Sequence, residues 1–362
     1  MKRLLLLIIF YSQSTFSQQK TCENIFIITT DGFRWQELFN GADSAILFNP
    51  RFVKDTSVMR YMYWSSDTEE RRRRLMPFLW NYVAHKGQLW GNRQYNNTVS
   101  VANPYRFSYA GYNEILSGYA DPFIIANKPK LNRNSNILHY LHSLPAYEGK
   151  VAAFGSWKLF SYIINSKQDG MPVNSGYQLM QDDTLSYTEQ ATNYVQETIG
   201  DETIATRADM LTYTLAAEYI QRNHPKVVYI GFGETDEFAH HSQYDEYLSK
   251  ANQFDKFLAE LWNLVQRDEV YKNKTTFFVT TDHGRGKKAS TWMKHGPFTR
   301  GADETWLVQL GPNILPLGEI KAAIDIDNEQ FAQTIAAYLG EVFVTNHPVA
   351  APAYPLLSLA GE

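Results

Sequence analysis

Carboxylates and imidazoles gather at four places in this chain, and three of those places follow short apolar runs. The first is Phe26-Ile27-Ile28-Thr29-Thr30-Asp31-Gly32, where the run ends in an acid followed at once by glycine. An Asp so placed also serves as a turn or helix cap. The second repeats the layout with an imidazole added: Phe277-Phe278-Val279-Thr280-Thr281 leads into Asp282-His283-Gly284. A hard oxygen and a borderline nitrogen at one rim suit zinc or a similar divalent ion, and capping accounts for the Asp but not the His. The third is Val227 to Phe232 followed by Gly233-Glu234-Thr235-Asp236-Glu237-Phe238-Ala239-His240-His241. If this segment turns helical, Asp236 and His240 share one face and grip one ion; His241 is a near alternative, and such a pair also occurs as a plain surface ion pair. The fourth is Lys294-His295-Gly296, in a glycine-flanked stretch beyond His283. Three Asp and three His are more ligands than one zinc takes and suit two.

A two-metal centre needs a nucleophile. The stretch Asn103-Pro104-Tyr105-Arg106-Phe107-Ser108-Tyr109-Ala110-Gly111 places Ser108 at the start of a predicted helix over Ser108 to Ser117. Unsatisfied backbone N–H groups and the helix dipole there favour an anion, either the serine alkoxide or a phosphoryl group, although the same position also suits an ordinary N-cap. Arg106 offers either a guanidinium clamp or a structural ion pair. Tyr105, Phe107, Tyr109, Tyr112, Trp157, Phe232 and Phe238 surround these motifs, as core residues or as stacking surfaces for an aromatic leaving group. Ser156-Trp157 marks one more strand end, with no role assigned.

Buried strands are expected at Asn24 to Thr30, Lys150 to Gly155, Lys226 to Gly231, Thr275 to Thr281 and Thr305 to Leu310, each rich in Val, Ile, Phe and Thr. Helical periodicity covers Glu70 to His85, Ser108 to Ser117, Ile137 to Leu144, Thr203 to Asn223, Gln243 to Gln266 and Asn328 to Leu339. The alternation implies an α/β fold, a largely parallel sheet covered by helices on both faces. In such folds the ligand site lies beyond the carboxyl ends of the strands, where the acids and imidazoles fall.

The chain opens on Lys2-Arg3, an apolar run from Leu4 to Phe10 and a polar stretch to Ser17. That is the layout of a secretory signal peptide over residues 1–18, and the run is too short for the about 20 residues of a membrane span. The expected localisation is therefore periplasmic or extracellular. One cysteine, Cys22, allows no internal disulfide. Residues 22–362 read as a single catalytic domain with a polar insertion near 160–200. The net charge of −4 argues against a nucleic-acid duplex as partner, and the run Arg71 to Arg74 reads as a solvated helix face.

In their order from Ile25 to Pro312, these motifs resemble the alkaline phosphatase superfamily, in particular its nucleotide pyrophosphatase/phosphodiesterase branch. In that family a Ser or Thr nucleophile opens a helix ten residues before a Gly that follows Ser or Thr, and Ser117-Gly118 points back to Ser108. The resemblance implies a three-layer α/β/α fold and two divalent ions, zinc or else manganese. It puts Asp236, His240 and His295 on one ion, Asp31, Asp282 and His283 on the other, and Ser108 between them. The Glu that classical alkaline phosphatases use for magnesium, five residues before the Asp matching Asp236, is here Gly231, which leans toward the diesterase-like branch. Sulfatases need Pro and Arg downstream of the nucleophile, and Ser108-Tyr109-Ala110-Gly111 has neither. An Asn contacts phosphate in the diesterase branch, but the spacing to Asn127 differs and it is not assigned. The implied activity is metal-dependent hydrolysis of a small phosphodiester or phosphomonoester through a phosphoseryl intermediate at Ser108. Phosphonate hydrolysis, a mutase-like phosphotransfer and metal-dependent binding without turnover are the alternatives.

Overall fold

The computed structural model describes residues 22–181, 184–199 and 205–358. The expected signal peptide lies outside the described residues, and no helix among them is long and apolar enough to cross a membrane. Eleven strands are described: β1 (Asn24–Thr30), β2 (Gln88–Trp90), β3 (Thr98–Ser100), β4 (Val151–Gly155), β5 (Val173–Ser175), β6 (Val227–Phe232), β7 (Thr275–Thr281), β8 (Glu304–Thr305), β9 (Leu307–Leu310), β10 (Gly318–Glu319) and β11 (Asp325–Asp327). Eight form one sheet in the order β10-β2-β9-β7-β1-β6-β4-β5, and β11-β3-β8 form a small second one. The run from β7 to β5 is wholly parallel; β9 is antiparallel to β7 and β2. The expected α/β class and largely parallel sheet are what the chain forms.

Side chains of a strand alternate between faces, so each central strand feeds two cores. Phe26, Ile28, Val228, Ile230 and Phe277 join one buried cluster with the helices Asp209–Asn223 and Tyr244–Arg267. Ile25, Ile27, Val227, Tyr229 and Phe278 join the other with Ser108–Ser117, Ile137–His142 and Phe331–Tyr338. Helix, sheet and helix thus make the three layers.

Some elements depart from expectation. The periodicity over Glu70 to His85 is broken: a helix Thr68–Leu75 ends just before Pro77, whose ring and missing N–H cannot continue it, and a π-helical turn Leu79–Val83 follows. Within the arginine run, Arg73 and Arg74 do form exposed pairs with Glu69 and Glu70. Arg71 instead donates to the Asn40 and Ser65 carbonyls, and Arg72 stacks 3.6 Å over Trp80. The stretch expected over Thr305 to Leu310 splits at Trp306 into β8 and β9, which serve different sheets. The polar stretch 160–200, expected as an insertion, holds β5, the edge strand beside β4, and a helix Tyr187–Ile199.

Candidate active site

β1, β6 and β7 lie side by side, in register, and all three end at one edge of the sheet. Asp31 follows β1, Asp282 and His283 follow β7, and the short helix Glu234–His240 follows β6. Parallel pairing therefore gathers motifs some 200 residues apart in sequence, which is why three strand-end acids meet. Two glycines make the approach possible. Gly32 has φ +57°, and a Cβ there would stand 2.8 Å from Arg285 Nε and Asp236 Oδ1. A Cβ on Gly111 would stand 2.3 Å from the Asp282 carbonyl oxygen, so the Ser108–Ser117 helix lies directly on the β7 turn.

Ser108 is the first helical residue of Ser108–Ser117; the extended Phe107 holds the N-cap position and has no side-chain cap. The buried Ser108 hydroxyl donates to Asp31 Oδ1 at 3.3 Å and lies 3.4 Å from His283 Nε2. His283 Nε2 is in turn 3.4 Å from Asp31 Oδ1, 3.5 Å from Asp282 Oδ2 and 3.8 Å from Asp236 Oδ1. On the outer side, His240 Nε2 is 3.0 Å from Asp236 Oδ2 and 3.1 Å from His295 Nε2. The ambiguity between neighbouring histidines resolves here, because His241 Nδ1 turns away to the Glu237 carbonyl. All seven sequence-predicted residues thus come together.

Asp31, Asp236 and His283, and separately Asp236, His240 and His295, have donor atoms all within 4.8 Å of one another. Asp236 is common to both sets, and Asp282 stands at the edge of the inner one: its Oδ1 accepts from Gly32 N at 2.9 Å, and its Oδ2 has no hydrogen-bond partner. Ligands about 2.0–2.2 Å from a tetrahedral zinc lie about 3.4 Å from each other, which is close to the spacings found. The tautomers agree. His283 Nδ1–H donates to the Gly284 carbonyl at 2.9 Å and His295 Nδ1–H to the Arg106 carbonyl at 3.1 Å, leaving each Nε2 as the ligand atom.

Electrostatics point the same way. Burial, then the neighbouring Asp282, pushes the Asp31 carboxyl up to about 8, and burial pushes Asp282 up to about 7. Burial holds both His283 and His295 well toward the neutral form. Carboxyls that resist ionising, beside imidazoles that resist protonation, are short of positive charge, and a divalent cation supplies it. The residues fit such ions.

Three contributors escape the sequence reading. Arg285 is buried, donates to the carbonyls of Gly32 (2.9 Å) and Met293 (2.6 Å) and forms an ion pair with Asp236 Oδ1. The bulky cation just after Asp282-His283-Gly284 was its available signal. The Tyr112 hydroxyl donates to Asp31 Oδ2 at 3.2 Å; its position four after Ser108 puts both on one helix face. Asn127, not assigned from spacing, accepts from Tyr109 N at 2.9 Å and so caps the helix that Ser108 opens. Arg106 adopts φ +55° and its guanidinium lies 3.7 Å from Asp303 Oδ1, a loose pair.

A family model described as type I phosphodiesterase / nucleotide pyrophosphatase matches residues 59–295, more than half of the chain. The chain belongs to this family. The match includes Ser108, Asp236, His240, Asp282, His283 and His295, while Asp31 lies before it. Membership puts the chain among hydrolases of phosphate or sulfate esters in the alkaline phosphatase superfamily, a metal-dependent group. No curated protein matches the sequence. Among solved structures, the phosphonate monoester hydrolase of Agrobacterium radiobacter is similar at a TM-score of 0.57 and 12% identity, over 94% of this chain and 78% of that one. A lipoteichoic acid synthase of Listeria monocytogenes gives 0.56 and 11%, over 94% and 77%. An alkaline phosphatase superfamily protein of Vibrio parahaemolyticus gives 0.52 and 11%, over 92% and 71%. At these identities the likeness speaks for the fold.

Proposed function

We propose that this phosphodiesterase-family chain is an exported enzyme that hydrolyses small phosphate esters through a phosphoseryl intermediate at Ser108. Asp31, Asp282 and His283 would hold one divalent ion and Asp236, His240 and His295 a second, zinc or else manganese. The observation that carries the reading is the place of Ser108: a buried hydroxyl at a helix N-terminus, 3.3 Å from Asp31 and 3.4 Å from His283. When bound, the ions supply Lewis-acid stabilisation of the attacking and leaving oxygens.

The protein's own groups do the rest. The helix N-terminus directs N–H groups and a positive dipole end toward charge on Oγ and on the transferring phosphoryl group. Ser108 Oγ would attack phosphorus as its proton passes to Asp31 Oδ1, which already accepts its hydrogen bond, and the P–O bond to the ester oxygen would break on the side of the half-exposed His240, where solvent protonates the leaving oxygen. Water entering from that side then attacks the phosphoserine in line, and Oγ is released and reprotonated. Arg106, two residues before Ser108 and loosely paired with Asp303, would add a guanidinium to a phosphoryl oxygen. The single domain of residues 22–362, with a signal peptide over 1–18, is the unit to which this activity is assigned.

The test compares the zinc-loaded protein, the same protein with chelator, and Ser108→Ala on p-nitrophenyl phosphate and bis-p-nitrophenyl phosphate. Chelator-sensitive turnover lost in the variant is the expected result, and the faster ester decides between monoesterase and diesterase. Turnover on neither ester counts against the proposal.

A further inference from the structure

The helix that carries Asp236 and His240 has only seven residues, Glu234–His240, and its N-cap residue Gly233 has no side chain to cap it. A helix this short holds its place only through what surrounds it. The missing acceptor comes from Asp209, the first residue of the Asp209–Asn223 helix. Asp209 Oδ1 accepts from Gly233 N at 2.8 Å and Oδ2 from Glu234 N at 3.1 Å, while Glu234 Oε2 accepts from Asp209 N at 2.9 Å. The exchange is reciprocal, a capping box built between two helices rather than within one.

Asp209 is itself fixed. At the end of β4 the buried Ser156 hydroxyl donates to Asp209 Oδ1 at 2.6 Å and meets Thr212 Oγ1 at 2.8 Å. Arg207, fully buried, donates to Thr212 Oγ1 at 3.0 Å, to Asn174 Oδ1 at 2.7 Å and to Gln196 Oε1 at 3.0 Å. On the opposite side of the short helix, Thr235 Oγ1 donates to the Asp31 carbonyl at 2.5 Å and meets Thr30 Oγ1 at 2.8 Å. The ligand helix is therefore pinned between the end of β4 and the end of β1.

We propose that Asp209 is a positioning residue for the outer ion: its exchange with Gly233 and Glu234 sets the depth and roll of the ligand helix so that Asp236 faces both clusters. This rests on the two-ion reading above. A ligand pair on a free-standing turn would drift, and supporting contacts that hold ligands are worth about 10- to 100-fold in metal affinity. Asn at this position keeps one acceptor but turns an amide N–H toward a backbone N–H, so one arm of the exchange is lost.

The experiment titrates Zn2+ into metal-free full-length protein against a chromophoric chelator for the wild type, Asp209→Asn, Ser156→Ala and Asp255→Asn. Asp255 is the matched control: also a buried carboxylate that accepts from two backbone N–H groups, Phe78 (2.7 Å) and Leu79 (2.9 Å), but outside the site. Asp209→Asn should weaken the more affected ion about tenfold or more and the other by less, since Asp236 stands in both clusters, Ser156→Ala should act in the same sense but more weakly, and Asp255→Asn should lower thermal stability with both affinities intact. Unchanged affinities in Asp209→Asn, or equal losses in Asp255→Asn, would overturn the positioning role while the two-ion reading stands. If Asp209→Asn does not fold, an unchanged Ser156→Ala overturns it. A wild type that binds no ion overturns the two-ion reading and the inference with it.

Discussion

The inner and outer ligand sets use the same residue types in opposite surroundings. Asp31, Asp282 and His283 sit on turns directly after β1 and β7, fixed by the sheet and fully buried. Asp236, His240 and His295 sit on a seven-residue helix and a loop, and the His240 side chain is 51% exposed. Burial raises the inner carboxyls to about 8 and about 7, so the inner set has a deficit of positive charge that water cannot relieve. The outer set has solvent at hand and a ligand helix held by its neighbours. In the proposed mechanism the dry side would hold the nucleophile, and the open side would admit water and release the leaving group.

The largest expected effect is on the inner side. Ser108→Ala should lower turnover on the order of 10^3-fold or more in steady-state assays, with zinc binding and thermal midpoint near wild type. A variant that keeps a tenth of the activity would detach the nucleophile from the inner set. Next, Asp31→Asn should abolish activity yet raise the stability of the metal-free protein at pH 8, because an uncompensated buried carboxylate is removed. His240→Ala should weaken zinc binding at least about tenfold, with metal-free stability within about 0.5 kcal/mol of wild type. Equal behaviour of the two in metal-free unfolding would erase the contrast.

The pH dependence follows from the same shifts. Asp31 and Asp282 have folded-state values raised above the ordinary 3.8, so between about pH 4 and 8 these two carboxyls keep protons in the folded protein that they lose in the unfolded chain. Their contribution to the stability of the chelated protein should therefore fall as pH rises through that window, so Asp31→Asn in chelator should lose less stability with rising pH than wild type. A pH slope of the thermal midpoint from pH 5 to 8 in chelator that is the same in wild type and Asp31→Asn would contradict the buried charge deficit. The smallest effect concerns packing: Gly111→Ala drives a Cβ toward the Asp282 carbonyl oxygen at 2.3 Å and should cost about 1–3 kcal/mol in denaturant unfolding.

Asp31, Asp282 and His283 were legible because they stand at a discontinuity, an acid or imidazole placed directly after an apolar strand; Asp236 and His240 were read from their four-residue spacing, and Ser108 and His295 only in the company of the others. β1 and β7 were readable to the residue for a related reason: seven consecutive buried positions leave no other assignment. β2, β3, β10 and β11, two or three residues each, are too short to carry a pattern. Pro77 inside an otherwise helical periodicity was a visible break that the amphipathic spacing concealed. Which acid faces which ion was not legible either, since Asp236 reaches both sets only because its helix lies between them. Asp209 gave no local sign at all, as its partners are 24 and 25 positions away and meet it only in the folded chain.

The most direct test of the central claim is to quench the zinc-loaded protein in acid during turnover of p-nitrophenyl phosphate or its bis-ester and map the modified peptide by mass spectrometry. Expected is up to one group per chain on Ser108, phosphoryl from the monoester or p-nitrophenylphosphoryl from the bis-ester, stable in acid and absent from Ser108→Ala. Steady turnover with phosphate on a different residue, or full activity in Ser108→Ala, would contradict it.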